Sequence, residues 1–301
     1  MNHVLVIVGP TASGKSALAV RLAKKFNGEV ISADSRQVYK GLDIGTGKIT
    51  KKEMRGVPHH LLDVSSPKKN FSAGDYVRHA RSSIKEVAAR GKLPIVVGGT
   101  GFYVDSLLGR IDLPNVPPNK KLRDSLAKKT APQLFAMLKK KDPKRARAMD
   151  TQSERNNPVR LIRALEVATA PKSSKSKNVA RFDLGTVLWI GISPSATLLE
   201  KKIRTRLLSR IKDGMVAEAR RLKKSGLSYK RMRELGLEYR SLADLLEKKI
   251  TQVELVEILY GEIRRYARKQ TGYWNRNQDI AWFDPKDVQK IVALVSRWQK
   301  E

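Results

Sequence analysis

Eight residues, Gly9-Pro10-Thr11-Ala12-Ser13-Gly14-Lys15-Ser16, leave this chain few folds to choose from. An apolar run, Val4-Leu5-Val6-Ile7-Val8, leads into them, and Ala17-Leu18-Ala19-Val20-Arg21-Leu22-Ala23 leads out at helical spacing. Strand, glycine loop and helix in that order, with all fixed positions of G-x-x-x-x-G-K-[ST] matched, make a phosphate cradle. Backbone N–H groups of such a loop wrap phosphate oxygens at a helix N-terminus. Lys15 would reach the outer phosphate, and the Ser16 hydroxyl would ligate Mg²⁺. Alone, the loop indicates nucleotide phosphates, with ATP the default ligand.

The pattern repeats downstream. Gly28–Ala33 reads as a second strand that ends at Asp34-Ser35-Arg36-Gln37, followed by a glycine-rich loop, 38–48. Val57–Val64 reads as a short third strand. Apolar Val77, Ala80, Ile84, Val87 and Ala88 place a helix up to Arg90. Leu93–Val97 is a fourth strand running into Gly98-Gly99-Thr100-Gly101, and a helix to Leu108 follows. Strands alternating with helices predict an α/β fold, a parallel sheet with helices on both faces. Ligands of such sheets bind at the carboxyl ends of the strands. The phosphate loop, Asp34 and Thr100 all lie there.

A proline-rich stretch, Asp112–Pro118, reads as a linker into a basic, mostly helical segment. From Asn119 to Arg181 there are 18 basic and 5 acidic side chains, a net of +13 in 63 residues. The whole chain carries +32. Such an excess points to a polyanionic partner, and nucleic acid fits better than a membrane. No apolar run approaches the roughly 18 residues of a membrane span. The chain starts at once on a core strand, so no signal peptide is expected. There are no cysteines, which excludes disulfides and fits a reducing cytoplasm.

Asn157-Pro158 opens a helix over Val159–Val167. Pro171–Asn178 is Ser/Lys-rich and reads as a mobile loop. Val187–Ile192 returns to the sheet, and helices are predicted over Leu198–Lys212, Met215–Ser225, Ser241–Glu247 and Gln252–Tyr273. The expected division is a first core part, 1–114, an inserted helical segment, 115–181, and a return to the core, 182–301. His59 and His60, adjacent on a strand, point to opposite faces and read as structural. The four tryptophans, Trp189, Trp274, Trp282 and Trp298, read as core or interface. Arg264, Arg265, Arg268 and Lys269 form a solvated face or contact an RNA backbone.

Strand 4 ends without an acid, so Asp34 is the carboxylate at a strand end near the loop. It either serves Mg²⁺, as in a kinase, or acts as a base on an acceptor.

Here a family resemblance becomes specific. GPTASGKS at Gly9–Ser16, DSRQVYKGLDIGTGK at Asp34–Lys48, VPHHLLDV at Val57–Val64 and GKLPIVVGGTGFY at Gly91–Tyr103 resemble the tRNA dimethylallyltransferases. NNPVRLIRALEV at Asn156–Val167, KIRTRL at Lys202–Leu207 and YARKQTGYW at Tyr266–Trp274 continue the likeness in family order. The chain departs from the family in reading Arg268-Lys269-Gln270 before the last aromatic and in Gly236-Leu237-Glu238-Tyr239-Arg240. It also lacks the zinc-finger extension of eukaryotic members, so it resembles the bacterial type.

The resemblance implies a P-loop NTPase-like core with an inserted helical tRNA-binding domain. It implies transfer of a dimethylallyl group from dimethylallyl diphosphate to N6 of the adenosine 3′ of the anticodon. Lys15, with Gly9, Pro10, Thr11, Ala12, Ser13, Gly14 and Ser16, would hold the diphosphate, with Ser16 on Mg²⁺ and Arg206 clamping from the later helices. On sequence alone Arg206 also reads as an exposed helix arginine. Asp34 would take the N6 proton. Thr100 would assist at the adenine, or simply cap the next helix. Ser35, Arg36 and Gln37 would line the adenosine pocket. Arg123, Val159, Arg160, Leu161, Ile162 and Arg163 would meet tRNA, although Arg160 and Arg163 could instead pair with acids such as Glu166. The expected partners are tRNA and dimethylallyl diphosphate, with no membrane, and the expected state is a cytoplasmic monomer. A kinase, or a prenyl transferase acting on free adenine nucleotides, shares parts of this pattern.

Overall fold

The structure is a computed structural model and describes residues 3–149, 151–171 and 184–301. These form two compact units, one from 1–111 with 183–301 and the other from 112–182.

In the first unit, strand β1 (His3–Val8) feeds helix α1 (Lys15–Lys25), and β2 (Gly28–Ser32) follows. Then come α2 (Lys51–Met54), β3 (His59–His60), α3 (Ala73–Ala89), β4 (Leu93–Gly98) and α4 (Gly101–Leu107). After the second unit the chain returns as β5 (Thr186–Ile192), which is followed by a run of helices. These are α10 (Ala196–Lys212), α11 (Met215–Lys224), α12 (Tyr229–Leu235), α13 (Leu237–Leu246) and α14 (Gln252–Trp274). The unit ends in β6 (Ala281–Phe283) and α15 (Val288–Trp298).

The strand order is β3-β2-β4-β1-β5-β6, and each neighbouring pair is parallel. Central strands buried on both faces need continuous apolar runs, as in Val4–Val8 and Ile95–Val97, all at 6% exposure or less. One core packs α1 and α15 against the sheet, through Leu18, Leu22, Ile7, Ile95, Ile291 and Val295. A second core joins Val38, Tyr39 and Leu42, just past β2, to the helices α10–α14. The loops after β2 are thereby moulded onto the C-terminal helices.

The predicted third strand shrinks to His59–His60. Leu61 (φ 64°) and Asp63 (φ 57°) take left-handed backbone, which stops a strand. The short strand β6 and the helix α15 are not among the elements expected from the sequence, although α15 carries a clear apolar face. In α15, Ile291, Val295 and Trp298 share its buried face.

The second unit comprises α5 (Lys120–Leu126), α6 (Ala131–Lys141), α7 (Pro143–Ala148), α8 (Gln152–Arg155) and α9 (Pro158–Thr169). Asn157 caps α9 by accepting the Arg160 N–H at 3.2 Å, with Pro158 at the first helical position. The unit has its own core of Leu126, Leu134, Leu138, Ala146, Leu161, Ala164 and Leu165. Beyond Pro171, the predicted Ser/Lys-rich loop lies outside the described residues.

Candidate active site

The site lies at the carboxyl ends of β1, β2 and β4. After β1 the chain bends at Gly9, where a Cβ would sit 2.6 Å from the Ile192 carbonyl oxygen. Gly14 takes the left-handed conformation (φ 98°) at the N-cap of α1, freeing the loop to curl around its own N–H groups. Lys15 donates to the Pro10 carbonyl at 3.0 Å. Burial brings its ammonium down from 10.5 to about 8, Asp34 pulls it back up, and Arg206 pushes it down again. The Ser16 side chain is exposed.

At the tip of β2, Asp34 Oδ1 accepts the N–H groups of Arg36 (2.8 Å) and Gln37 (3.3 Å). This Asx turn fixes the DSRQ stretch and leaves Oδ2 for other work. Thr100 sits at the N-cap of α4, but its side chain does not cap the helix. Its hydroxyl accepts the Ser35 N–H at 3.1 Å and lies in reach of the Tyr266 phenol. Thr100 thus does not act as the expected cap, and it ties the tips of β4 and β2 together.

One cavity, with about 910 Å³ of non-protein space open to solvent, takes in Thr11, Lys15, Ser16, Asp34, Arg36, Gln37, Arg206, Tyr266 and Gln270. Ser35 and Thr100 are not among its lining residues. Arg206, on α10, donates to the Gly47 carbonyl at 2.6 Å and faces the phosphate loop across the cavity. Hydrogen-bond donors of the 9–16 loop, a carboxylate and an arginine therefore converge from positions far apart in sequence.

A family model described as IPP transferase matches residues 37–278. The chain belongs to the IPP transferase family. The tRNA dimethylallyltransferase 2 of Treponema denticola is 41% identical over 280 residues, 91% of this chain and 92% of that one. The tRNA dimethylallyltransferase of Anoxybacillus flavithermus is 38% identical, over 95% of this chain and 91% of its own. The solved tRNA isopentenylpyrophosphate transferase from Bacillus halodurans matches at TM-score 0.72 and 34% identity, covering 98% of this chain and 96% of that one. A eukaryotic dimethylallyltransferase solved acting on tRNA matches at TM-score 0.77 and 27% identity, covering 96% of this chain and 75% of that one. The family and fold class expected from the motifs are borne out.

Two site residues of this IPP transferase escaped the sequence reading. Gln270, 6% exposed, accepts the Thr11 N–H at 2.8 Å and donates to the Gly99 carbonyl at 2.9 Å. Its amide spans the phosphate loop and the tip of β4. Tyr266, one turn earlier on α14, lines the cavity. Burial, with Asp34 close by, keeps its phenol protonated. Both lie within the YARKQTGYW stretch, where helical spacing puts them on one face.

In the second unit, the predicted RNA-contacting arginines divide. Glu166, with its side chain fully buried, accepts from Arg123 Nε (2.6 Å) and Nη2 (2.7 Å), from the Asn119 N–H (2.8 Å) and from Arg163 (3.1 Å). Burial alone would raise this carboxyl; those hydrogen bonds, led by Arg123, hold it at about 2. Arg123 and Arg163 are thus committed inside the unit, and Leu161, 0% exposed, belongs to its core. Leu161 therefore has no surface to offer a partner. Ile162 packs against that core in part. Arg160 is exposed and pairs with Glu154 at 2.7 Å, and Val159 is 77% exposed.

His60 contacts buried Glu29 at 2.7 Å, while His59 bonds the Val57 carbonyl at 2.8 Å. Among the described residues no helix is long and apolar enough to cross a membrane.

Proposed function

We propose that the chain transfers a dimethylallyl group from dimethylallyl diphosphate to N6 of the adenosine 3′ of the anticodon in tRNA. The observation that carries this reading is the single cavity shared by Lys15, Asp34 and Arg206, in a chain whose relatives are named tRNA dimethylallyltransferases.

The diphosphate rests in the 9–16 loop, its charge met by backbone N–H groups, Lys15 and Arg206. Adenine N6 attacks C1 of the allyl group; the N6–C1 bond forms and the C1–O bond breaks, with the electron pair leaving on diphosphate. N6 is a poor nucleophile because its lone pair is delocalised into the ring. Asp34 Oδ2 takes the N6 proton as the bond forms. Thr100 and Tyr266 hold the tip of β2, and with it the Asp34 carboxylate, in place. The adenosine has to leave the anticodon-loop stack to reach this depth.

The donor set suits Mg²⁺, which takes one or two protein oxygens and fills its remaining positions with phosphate oxygens and water. The exposed Ser16 hydroxyl would hold the ion. The bound ion would neutralise charge on the leaving group.

Within the basic segment, Arg160 and Val159 are the exposed members of the predicted tRNA-contacting set. We assign Arg160 to the RNA backbone, and Arg123 and Arg163 to shaping the helix that presents it. The enzyme acts as a monomer in the cytoplasm.

Incubation with dimethylallyl diphosphate, Mg²⁺ and either unmodified tRNA or AMP tests the reading. Mass spectrometry is expected to find the prenyl group on a tRNA adenosine. Prenylation of AMP alone, or phosphate transfer from ATP, overturns it.

A further inference from the structure

The loop between β2 and α2 encloses a carboxylate that the chemistry above does not use. Glu218, on α11, is 3% exposed. Its Oε2 accepts the consecutive N–H groups of Asp43 (3.0 Å) and Ile44 (2.7 Å), and its Oε1 accepts the Gly45 N–H (2.9 Å) and the Tyr239 hydroxyl (2.6 Å). Three successive N–H groups turned to one side make an anion-binding hollow. Here the anion is the protein's own side chain.

The opposite side of the same loop faces the site. The Gly45 carbonyl accepts Arg210 at 2.9 Å, and the Gly47 carbonyl accepts Arg206 at 2.6 Å. Arg210 is in turn paired to Glu238 at 3.0 Å. The glycines are required by close approach. A Cβ at Gly45 would sit 2.6 Å from the Tyr239 hydroxyl, and one at Gly47 would sit 2.5 Å from the Arg206 guanidinium. The loop therefore takes its shape from a carboxylate on one side and hands its carbonyls to guanidinium groups on the other.

We infer that Glu218 is a positioning residue for the diphosphate: it sets the 43–47 loop so that Gly47 holds Arg206 over the phosphate loop. This rests on the proposed reading of Arg206 as a diphosphate clamp. Without the carboxylate, three N–H groups, that of Gly45 buried, lose their acceptor and the loop turns to find others. The Gly47 carbonyl then moves, and Arg206 loses its aim. Lys15 and Asp34 sit on other elements and keep theirs.

A double-mutant cycle on inorganic pyrophosphate binding, read by calorimetry, tests this with Glu218→Gln, Arg206→Ala and the pair. Glu218→Gln keeps the side chain's shape but turns amide donors toward donors. Arg206→Ala is expected to raise Kd about 30-fold and Glu218→Gln about 10-fold. The pair is expected to match Arg206→Ala alone. In turnover, Glu218→Gln is expected to raise KM for dimethylallyl diphosphate while KM for tRNA stays within twofold. Tyr239→Phe, which deletes one of the four hydrogen bonds, is expected to raise the pyrophosphate Kd about threefold and serves if Glu218→Gln does not fold. Additive effects of Glu218→Gln and Arg206→Ala overturn the positioning role, as does an unchanged Kd in Glu218→Gln or, in its place, in Tyr239→Phe. An unchanged Kd in Arg206→Ala instead overturns the clamp reading on which it rests.

Discussion

The side-chain amide of Gln270 accepts the backbone N–H of Thr11 at 2.8 Å, across 259 positions of sequence. With its NH₂ group on the Gly99 carbonyl, it links the phosphate loop to the tip of β4. Gln270→Met leaves a donor and an acceptor unpaired, at about 1–3 kcal/mol each. The expected result is a lower urea midpoint and a pyrophosphate Kd raised roughly tenfold, on the same scale. Denaturation and calorimetry on the purified variant check both.

Lys15 gives the enzyme an alkaline signature. Its ordinary value is 10.5 and its folded value about 8. Between the two, the unfolded chain keeps a proton that the folded chain has released, so the Lys15 contribution to stability rises with pH across that window. On the proposed reading, bound diphosphate restores the charge, so binding takes up a proton there. Pyrophosphate affinity is expected to fall as pH rises through 8, by at most about tenfold per pH unit. Lys15→Arg, which stays charged, is expected to flatten that slope. A wild-type slope no steeper than the variant's refutes the assignment.

Asp34 carries two tasks, and substitutions can separate them. Its Oδ1 holds the turn through Arg36 and Gln37, and its Oδ2 is the proposed proton acceptor. Asp34→Asn keeps a carbonyl oxygen for the turn and removes the base. It is expected to lower kcat by about 10²–10⁴ with tRNA affinity retained. Asp34→Ala is expected to weaken tRNA binding as well, because the turn opens. Single-turnover rates and filter binding separate the two outcomes.

Glu166 makes the second unit acid-sensitive. Its folded value of about 2 lies below the ordinary 4.5, so its contribution is in place above 4.5 and is lost as pH falls toward 2. The shift corresponds to on the order of 3 kcal/mol. Glu166→Ala strands Arg123 and Arg163 and is expected to melt this unit at lower temperature, at a cost of about 3–5 kcal/mol. Tryptophan fluorescence, whose four reporters all lie outside this segment, is expected to change little. Far-UV circular dichroism reads the loss.

Legibility in the sequence followed locality. Val4–Ser16 could be read because an apolar run, a glycine loop and a helical face are consecutive. Asp34 and Thr100 could be read because each ends a strand of a parallel sheet. Gln270 could not, since a glutamine on a helix carries no sign that its amide will meet two backbones. Arg123 and Arg163 carried a charge pattern suited to RNA, but Glu166, between them in space, decides where they point. The short third strand failed for a local reason: Leu61 takes a left-handed backbone that its side chain does not favour, although Asp63 is of a type that does.

The segment Asp112–Phe182 has its own apolar centre and, in Glu166, its own ionic lock. Its stability is therefore largely self-contained. On the proposed reading, changes on its exposed residues retune the grip on RNA while this inner core stays intact. Substrate choice and bond chemistry then become, on that reading, separate inheritances within one gene, free to drift at different rates.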